Sequence, residues 1–289
     1  MSRWVYELGS VIADTAEKAT DSHERSLNTN IAQAVGLLTT NEAIQEELKK
    51  DNNIFLSTGN HSNGVLTKEG TELSGVPGAI IAELTVTADS CAVQNIKINS
   101  LVFNKDVKGV RIFDCELDKI TFGPGITVSD VIFDNCVIKE LEFDLGTATA
   151  PPVNFTTIRR TIFKACQFPA EMPATPVLPV AIVLPYDAQV MFDTCIFSRP
   201  LWIGRTCRVN ITSCFFNFNI EFFVNAGLVP GGKLQIAQSR FGAIGNLPTA
   251  GAFVNHPALG VALDVQAAGN YRTAANPFIN CTVQWEIIT

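Results

Sequence analysis

Residues 131–143 read VIFDNCVIKELEF, and the spacing of their apolar side chains decides the fold. Because successive side chains of a β-strand point to opposite faces, two apolar residues separated by one residue predict a short strand with one buried face. Two polar residues stand between successive pairs and predict bends. The stretch is therefore expected to form three short strands joined by two bends. The pairs are Val131/Phe133, Cys136/Ile138 and Leu141/Phe143.

The same pattern, an apolar pair followed three residues later by Cys-x-apolar, recurs along the chain. Seven of the eight cysteines occupy this position, and a serine takes it in one further copy. Successive copies are 19 to 42 residues apart. The copies are TADSCAV (87–93), VRIFDCEL (110–117), VIFDNCVI (131–138), TIFKACQF (161–168), VMFDTCIF (190–197), VNITSCFF (209–216), LQIAQSRF (234–241) and NPFINCTV (276–283).

Constant strands and variable loops, repeated every roughly 20 to 30 residues, are typical of a solenoid whose turns bury their inward faces by stacking. Equivalent strands of successive turns then pair in parallel, about 4.8 Å apart. An antiparallel sandwich would need Asn-Gly or Asp-Gly hairpins between its strands, and Asn63-Gly64 lies outside the repeat. The pattern predicts an all-β protein, a parallel β-helix of about seven or eight coils.

The repeated cysteine fits a packing role. It stands at the first inward position after a bend, where a small, readily buried side chain fits and a leucine would crowd the adjacent turns. The chain has no CxxC motif, and nothing in it indicates export, so no zinc site and no disulfide framework are expected. No metal or cofactor is expected. The predicted core ladder is Cys91, Cys115, Cys136, Cys166, Cys195, Cys214, Ser239 and Cys281.

Charge and hydropathy exclude two classes of partner. The net charge is −7, and basic residues cluster only at Lys49-Lys50 and Arg159-Arg160, so no nucleic-acid partner is expected. No run approaches the ~20 apolar residues of a membrane helix, so no membrane partner is expected. The first residues, MSRWVYELGSVIADTAEK, carry acids where a signal peptide has its apolar run.

The charged residues are unevenly distributed. Residues 1–164 hold 37 of the 49 charged side chains, which leaves 12 for residues 165–289. A surface poor in charge is commonly covered by other subunits, and outward aromatic residues such as Trp202 and Phe215 fit the same role. We therefore expect the carboxy-terminal half to contact other subunits in a homo-oligomer, with a trimer favoured.

The first seventy residues lack the repeat. TTNEAIQEELKK (39–50) predicts a helix, because Thr39 and Glu42 are placed as a capping box. NNIFLSTGNHSNGVLTKEG (52–70) reads as a loop-rich linker. Two domains are predicted. Residues 1–70 form an amino-terminal arm that anchors the protein to other subunits of a particle or caps the open solenoid, and residues 71–289 form the β-helix.

The repeat, together with TELSGVPGAIIAELTVTADSCAVQNIKINS (71–100), resembles the pectate-lyase-like superfamily over about residues 71–289. The resemblance implies a single-stranded right-handed parallel β-helix. Its members include polysaccharide lyases and hydrolases, phage tailspikes and fibres, capsid-associated viral proteins and secreted adhesins.

CELDKITF also resembles pentapeptide-repeat proteins, which implies a regular square coil. However, the usual Asp or Asn between the two inward positions is replaced by residues such as Glu116 and Val137.

Two groups of acids are candidates for catalysis, since enzymes of the β-helix superfamily carry carboxylates on an outer face and glycoside hydrolysis needs a carboxylate pair. Lys164 interrupts the first group, and bends that face water are commonly polar without being catalytic. No nucleophile, phosphate-binding or dinucleotide motif is present. The first group is a column of Asp89, Asp114, Asp134 and Asp193, and the second is a patch of Glu116, Asp118, Glu140, Glu142 and Asp144.

These observations favour a structural virion protein over an enzyme. We expect a fibre, spike or capsid-decorating component, assembled in a host cytoplasm, that mediates particle assembly and host attachment. The first alternative is a depolymerase that binds and cleaves surface polysaccharide with the acidic column. The second is a DNA mimic related to the pentapeptide-repeat proteins.

Overall fold

The computed structural model describes the chain from residue 53 onward, with gaps. Within the described residues it contains strands and turns but no helix. The helix predicted at 39–50 and most of the predicted arm lie outside them. The described residues are 53–56, 58–145, 154–170, 181–185, 187–204, 206–218, 220–223, 233–241, 253–255, 264–268, 271–272, 278–279 and 284–286.

Short strands cover most of the described chain. They are β1 (Asn53–Leu56), β2 (Gly59–His61), β3 (Gly64–Leu66), β4 (Glu72–Gly75), β5 (Ala79–Val86), β6 (Ala92–Gln94), β7 (Lys97–Phe103), β8 (Val107–Lys108), β9 (Arg111–Phe113), β10 (Glu116–Phe122), β11 (Thr127–Ser129), β12 (Ile132–Asp134), β13 (Val137–Ile138), β14 (Leu141–Phe143), β15 (Thr157–Arg159), β16 (Thr161–Lys164), β17 (Gln167–Phe168), β18 (Ile182–Val183), β19 (Gln189–Asp193), β20 (Ile196–Phe197), β21 (Leu201–Gly204), β22 (Arg208–Thr212), β23 (Phe215–Phe216), β24 (Ile220–Phe223), β25 (Lys233–Ala237), β26 (Arg240–Phe241), β27 (Phe253–Asn255), β28 (Asp264–Ala268), β29 (Tyr271–Arg272), β30 (Phe278–Ile279) and β31 (Gln284–Glu286).

The strands form four parallel sheets that run along the axis of a solenoid. Sheet A has the order β1-β4-β6-β9-β12-β16-β19-β22-β25-β28-β31. Sheet B has the order β2-β5-β7-β10-β13-β17-β20-β23-β26-β29, with β3 beside β5 and β14 beside β10. Sheet C contains β8, β11 and β15, and sheet D contains β18, β21, β24, β27 and β30. Seven turns of chain lead from β4 to β25, so the predicted all-β parallel solenoid is confirmed.

Turn length varies from one coil to the next. Paired residues of sheet A are 19 apart between Ala92 and Arg111 and 30 apart between Ile132 and Ile162. The extra residues form loops between the strands, while the strands keep their register. A regular five-residue coil would give equal turns, so the pentapeptide-repeat architecture is not the one adopted.

A left-handed, non-glycine backbone position joins sheet A to sheet B in seven successive turns, from β6–β7 to β25–β26. The φ angles there lie between 51° and 57°, and successive bends are hydrogen-bonded up the axis, as from Asp114 N to Asp134 O at 3.0 Å. Asn and Asp tolerate this conformation best among residues with a side chain. This explains the polar residues before the repeated cysteine. The bend residues are Asn95, Asp114, Asn135, Ala165, Thr194, Ser213 and Gln238.

Phenylalanine columns fill the core. In sheet A, Phe133, Phe163 and Phe192 stack with ring centroids 4.8 and 5.2 Å apart. In sheet B, Phe168, Phe197 and Phe216 stack at 4.8 and 4.6 Å. The spacing equals the distance between parallel strands, so each ring packs against its equivalents above and below. The two columns meet edge-on inside the solenoid, as Phe163 meets Phe168 at 5.7 Å.

The opening stretch adopts the expected alternation of inward and outward side chains. Val131, Phe133, Cys136, Ile138, Leu141 and Phe143 are buried. Asp134, Lys139 and Glu140 are partly exposed, and Glu142 is exposed. VIFDNCVIKELEF therefore supplies one strand to sheet A and two short strands to sheet B, as the pairing of its apolar residues predicts.

The structure corrects the prediction at two places near the start of the repeat. Cys91 is level with Thr71 and Val110, at the beginning of the sheet A strands, and Ile96 holds the position equivalent to Cys115. The physical reason is that the bend from sheet A to sheet B lies after Cys91: Val93 is the inward residue before the bend, Asn95 is the bend residue, and Ile96 is the first inward residue after it. Strands β1, β2 and β3 also pair with β4 and β5, so described residues from 53 onward that the prediction assigned to the arm belong to the solenoid.

Candidate functional site

The repeated cysteines stand in one column beside the bend. The register places Cys115, Cys136, Cys166, Cys195, Cys214 and Ser239 at equivalent positions, and Cys281 lies outside the described residues. Each Sγ donates to the carbonyl two residues earlier, as Cys166 does to Lys164 O at 3.3 Å. Ser239 makes the same contact to Ala237 O at 3.0 Å. The same carbonyl also accepts a backbone hydrogen bond from the bend of the preceding turn, as Lys164 O does from Asn135 N at 2.9 Å, so the side chain adds a second bond to it.

The column is unsuited to thiol chemistry. All seven described cysteines are free thiols and buried. Burial raises the pKa of the Cys91 thiol, and it raises the pKa of the Cys207 thiol to about 12. Nucleophilic and metal-binding cysteines act as thiolates. Within the described ranges, no group of three or more His, Cys, Asp or Glu side chains is arranged to hold a metal ion.

The four acids of the first catalytic candidate do not form a column. Asp134 and Asp193 share one ladder of sheet A, but Lys164 stands between them, with Nζ 3.1 Å from Asp134 Oδ2. Asp114 occupies the bend and accepts a bond from Asn135 Nδ2 at 2.7 Å. Asp89 accepts a bond from the Lys108 backbone N–H at 2.8 Å. These carboxylates serve local structure.

The second acidic patch is interleaved with lysines on the outer face of sheet B. Lys139 Nζ lies 3.0 Å from Glu116 Oε1 and 2.6 Å from Asp118 Oδ1. Lys119 Nζ lies 2.8 Å from Glu142 Oε2 and 3.5 Å from Glu140 Oε1. Because cations and anions alternate from turn to turn, the charges largely cancel. The patch is an ion-pair network rather than an acidic surface.

Part of this patch borders a groove of about 420 Å³. Glu140, Glu142 and Asp144 line it together with the buried Arg199, whose Nη2 donates to Pro169 O at 2.6 Å. Burial and a hydrogen bond with Glu142 raise the pKa of Glu140. Two neighbouring carboxyl groups that titrate differently are a minimal requirement for general acid–base chemistry. This groove therefore holds the described acids best placed for such a role.

A larger groove of about 610 Å³ lies on the outer face of sheet A, across β16, β19, β22 and β25. One edge carries the side chains of Arg160, Gln189 and Arg208, on successive turns. The floor carries Ile162 and Met191, which are partly exposed. The sequence did not predict this groove. The candidate sites were chosen from acidic residues, whereas the groove is lined by the outward-facing residues that alternate with the inward residues of the sheet A strands.

The outer face of the charge-poor half carries apolar side chains. One ladder of sheet B runs through Val137, Gln167, Ile196 and Phe215. Ile196 is 41% exposed, and Arg240 lies over the Phe215 ring at 5.7 Å from its centroid. In sheet D, Trp202 points outward and is 36% exposed. Apolar residues thus replace the ion pairs of the earlier turns.

Comparisons with known proteins add little. No protein-family model matches the chain, and no curated protein matches it. Among solved structures, ORF18 of Geobacillus virus E2 aligns with a TM-score of 0.34 and 13% identity, over 84% of this chain and 56% of that chain. The chain thus spans little more than half of that protein's length. No helix in the part of the chain that the structure describes is long and apolar enough to cross a membrane.

Proposed function

We propose that the protein is a structural component of a virion, a fibre, spike or capsid-decorating protein, that works through assembly and surface contact. The observation that carries the proposal is the partly exposed apolar ladder through Ile196 and Phe215 on sheet B, together with the exposed Trp202 on sheet D, in the half of the chain that is poor in charge. Exposed apolar surface of this kind marks a contact with another protein. Membership of the pectate-lyase-like superfamily belongs to the same proposal.

The distribution of charge gives each part of the solenoid a role in this proposal. The ion pairs around Lys119 and Lys139 keep the early turns of sheet B solvated. The later turns of the same face bury their apolar ladder against neighbouring subunits of a homo-oligomer, a trimer. Burial of apolar area drives such association, and the aromatic and arginine side chains at Trp202 and Arg240 are residue types enriched in interfaces.

The oligomer is tested by Ile196→Lys in the full chain. Light scattering coupled to gel filtration should give three times 31.3 kDa for the native protein and a smaller particle for the variant, because a lysine would be buried unpaired. Asn99→Lys is the matched control, since it adds the same charge at an exposed position of β7, in the early turns outside the proposed interface. A monomeric native protein, or equal dissociation of both variants, would contradict the proposal.

The virion role has its own test. Virus particles purified from the cells that encode this chain should contain it in stoichiometric amount by mass spectrometry. The protein should also stay with the particles through a density gradient. Recovery in the soluble fraction alone would overturn the assignment.

The second candidate function is a polysaccharide depolymerase, favoured by the groove that Glu140, Glu142 and Asp144 border. If it holds, the full chain releases reducing ends from host surface polysaccharide, and Glu142→Gln abolishes the release. Glu72→Gln, an exposed substitution on sheet A, should leave activity unchanged. Absence of release from a panel of host polysaccharides would remove this candidate.

A further inference from the structure

The groove on sheet A has the shape of a site for an extended or helical segment. It crosses four strands of one sheet, which corresponds to about 14 Å along the solenoid axis. Its floor is a column of Ile162, Met191, Asn210 and Gln235, with the apolar pair at one end. A partly exposed isoleucine and methionine side by side on a sheet face favour contact with apolar side chains, and methionine adapts readily to the shape of a partner.

The charged groups of the groove favour an anionic partner. The two charged residues recorded along it are both arginines, Arg160 and Arg208. Arg160 is held by Asp130, with Nε 2.5 Å from Oδ1 and Nη2 2.8 Å from Oδ2. Arg208 is exposed and makes no ion pair with any residue that the structure describes. Its guanidinium is therefore available to a carboxylate, which it can bind through two parallel hydrogen bonds.

We propose that the occupant of this groove is the segment of residues 1–52 of the same chain. The segment carries nine acidic and five basic residues, and it contains apolar residues such as Ile44 and Leu48 among its glutamates. The groove would bind a segment that offers carboxylates to Arg208 and aliphatic side chains to Ile162 and Met191. Residues 1–52 contain both. A glycan fits less well, because the lining residues recorded for the groove include no aromatic ring.

Chain length and position make the contact possible within one molecule. Residue 52 precedes β1, which lies five strand steps, about 24 Å, from β16 in sheet A. A segment of this length spans that distance with residues to spare, since extended chain covers about 3.3 Å per residue. Tethering to the same solenoid gives the segment a high effective concentration at the groove, which favours its own copy over a neighbour's. The contact does not depend on the proposed virion role.

Photocrosslinking in the full chain tests the proposal. Met191→p-benzoylphenylalanine places a photoreactive group on the groove floor, and tryptic peptides linked to it are identified by mass spectrometry. Peptides from residues 1–52 should dominate the products. When unlabelled and ¹⁵N-labelled chains are mixed before irradiation, each product should contain one isotope only.

A charge reversal supplies the control. Adding Arg208→Glu should lower the yield of these products by about fivefold or more, since it repels the acidic segment, whereas Arg111→Glu, on the same face outside the groove, should leave the yield unchanged. Arg208→Gln gives a milder version if the reversal impairs folding, which circular dichroism would reveal. Mixed-isotope products, products from other parts of the chain or from polysaccharide, no product at all, or equal effects of both reversals would each overturn the proposal.

Discussion

Thr161 occupies a core position that valine fills on the neighbouring turns. It is level with Val131 and Val190, it is fully buried, and its Oγ1 has no hydrogen-bond partner among the described residues. A buried hydroxyl left unpaired costs about 1–3 kcal/mol. Thr161→Val should therefore raise the free energy of unfolding by about 1 kcal/mol, measured by urea denaturation.

A second threonine on the same ladder gives the matched control for this prediction. Thr71 Oγ1 donates to Lys68 O at 2.7 Å, so Thr71→Val should lower the free energy of unfolding. Opposite signs for one substitution at two equivalent positions would show that the hydrogen bond decides the outcome. A loss of stability in both variants would mean that the hydroxyl of Thr161 is satisfied in solution.

The cysteine column makes a prediction about reactivity. Thiol reagents attack the thiolate, and burial both blocks access and raises the pKa, as at Cys207. In the native protein at pH 8, the seven described thiols should therefore react with Ellman's reagent only as fast as the protein unfolds, and in urea they should all react rapidly. Ser90→Cys, at an exposed bend, should add one fast-reacting thiol. Rapid reaction of the column in the native protein would contradict its packing role.

At the scale of the strand, the ion pairs of sheet B should make stability depend on pH. Glu116 Oε1 on β10 lies 2.9 Å from Lys97 Nζ and 3.0 Å from Lys139 Nζ, and hydrogen bonds from these lysines hold the pKa of Glu116 below its ordinary value. A lowered pKa in the folded state stabilises the protein above the unfolded-state pKa, near 4.3. That contribution is lost as the pH falls through the folded-state pKa.

Glu116→Gln should remove this contribution. At pH 7 the variant should lose no more than about 1 kcal/mol, because the ion pair is partly exposed, and its stability should decline less than that of the native protein below pH 4.3. Urea denaturation at several pH values measures both effects. Glu72→Gln, which makes no ion pair with a described residue, should leave the pH dependence unchanged. Parallel curves for the native protein and Glu116→Gln would contradict the prediction.

The strands were predictable from sequence wherever local pattern and register agree. In β12 and β14, Phe133, Leu141 and Phe143 point inward as the alternation requires. At β6 the prediction was wrong, because Cys91 lies at the start of the sheet A strand and not after the bend that leads to sheet B. The true bend is at Asn95, where φ is 57°, and the next inward residue is Ile96. The cysteine pattern did not identify this bend, because an isoleucine stands at the position that a cysteine holds in later turns. A cysteine indicates a tightly packed inward position, but both the start of a sheet A strand and the position after the bend are tightly packed, so the residue type does not distinguish them.

At the scale of the whole molecule, stability should be local, because a turn of a solenoid contacts mainly its neighbours. Phe163 lies between Phe133 and Phe192 in the column of sheet A. Phe163→Ala should cost about 3–5 kcal/mol where the cavity forms. Hydrogen exchange should then show the largest loss of protection in β12, β16 and β19 and a smaller loss in β4.

The matched control for this prediction is a ring farther along the solenoid. Phe103→Ala should shift the loss of protection to β7 and β10, because Phe103 stacks on Phe122 at 4.8 Å. Equal loss throughout the described strands in either variant would mean that the solenoid unfolds as one unit.

The sequence by itself determined the all-β class, the parallel stacking and the inward positions, because these follow from a side-chain alternation that repeats in every turn. From β9 onward it also located the described bends, since polar residues separate most successive apolar pairs. Only the tertiary structure decided how turns of unequal length align, and therefore that Lys164 separates Asp134 from Asp193 and that Arg160, Gln189 and Arg208 share one edge of a groove. The loops between strands differ in length from turn to turn, and the repeat pattern does not specify these lengths. Loop length determines which outward residues of successive turns become neighbours. The arrangement of surface side chains therefore cannot be derived from the local pattern alone.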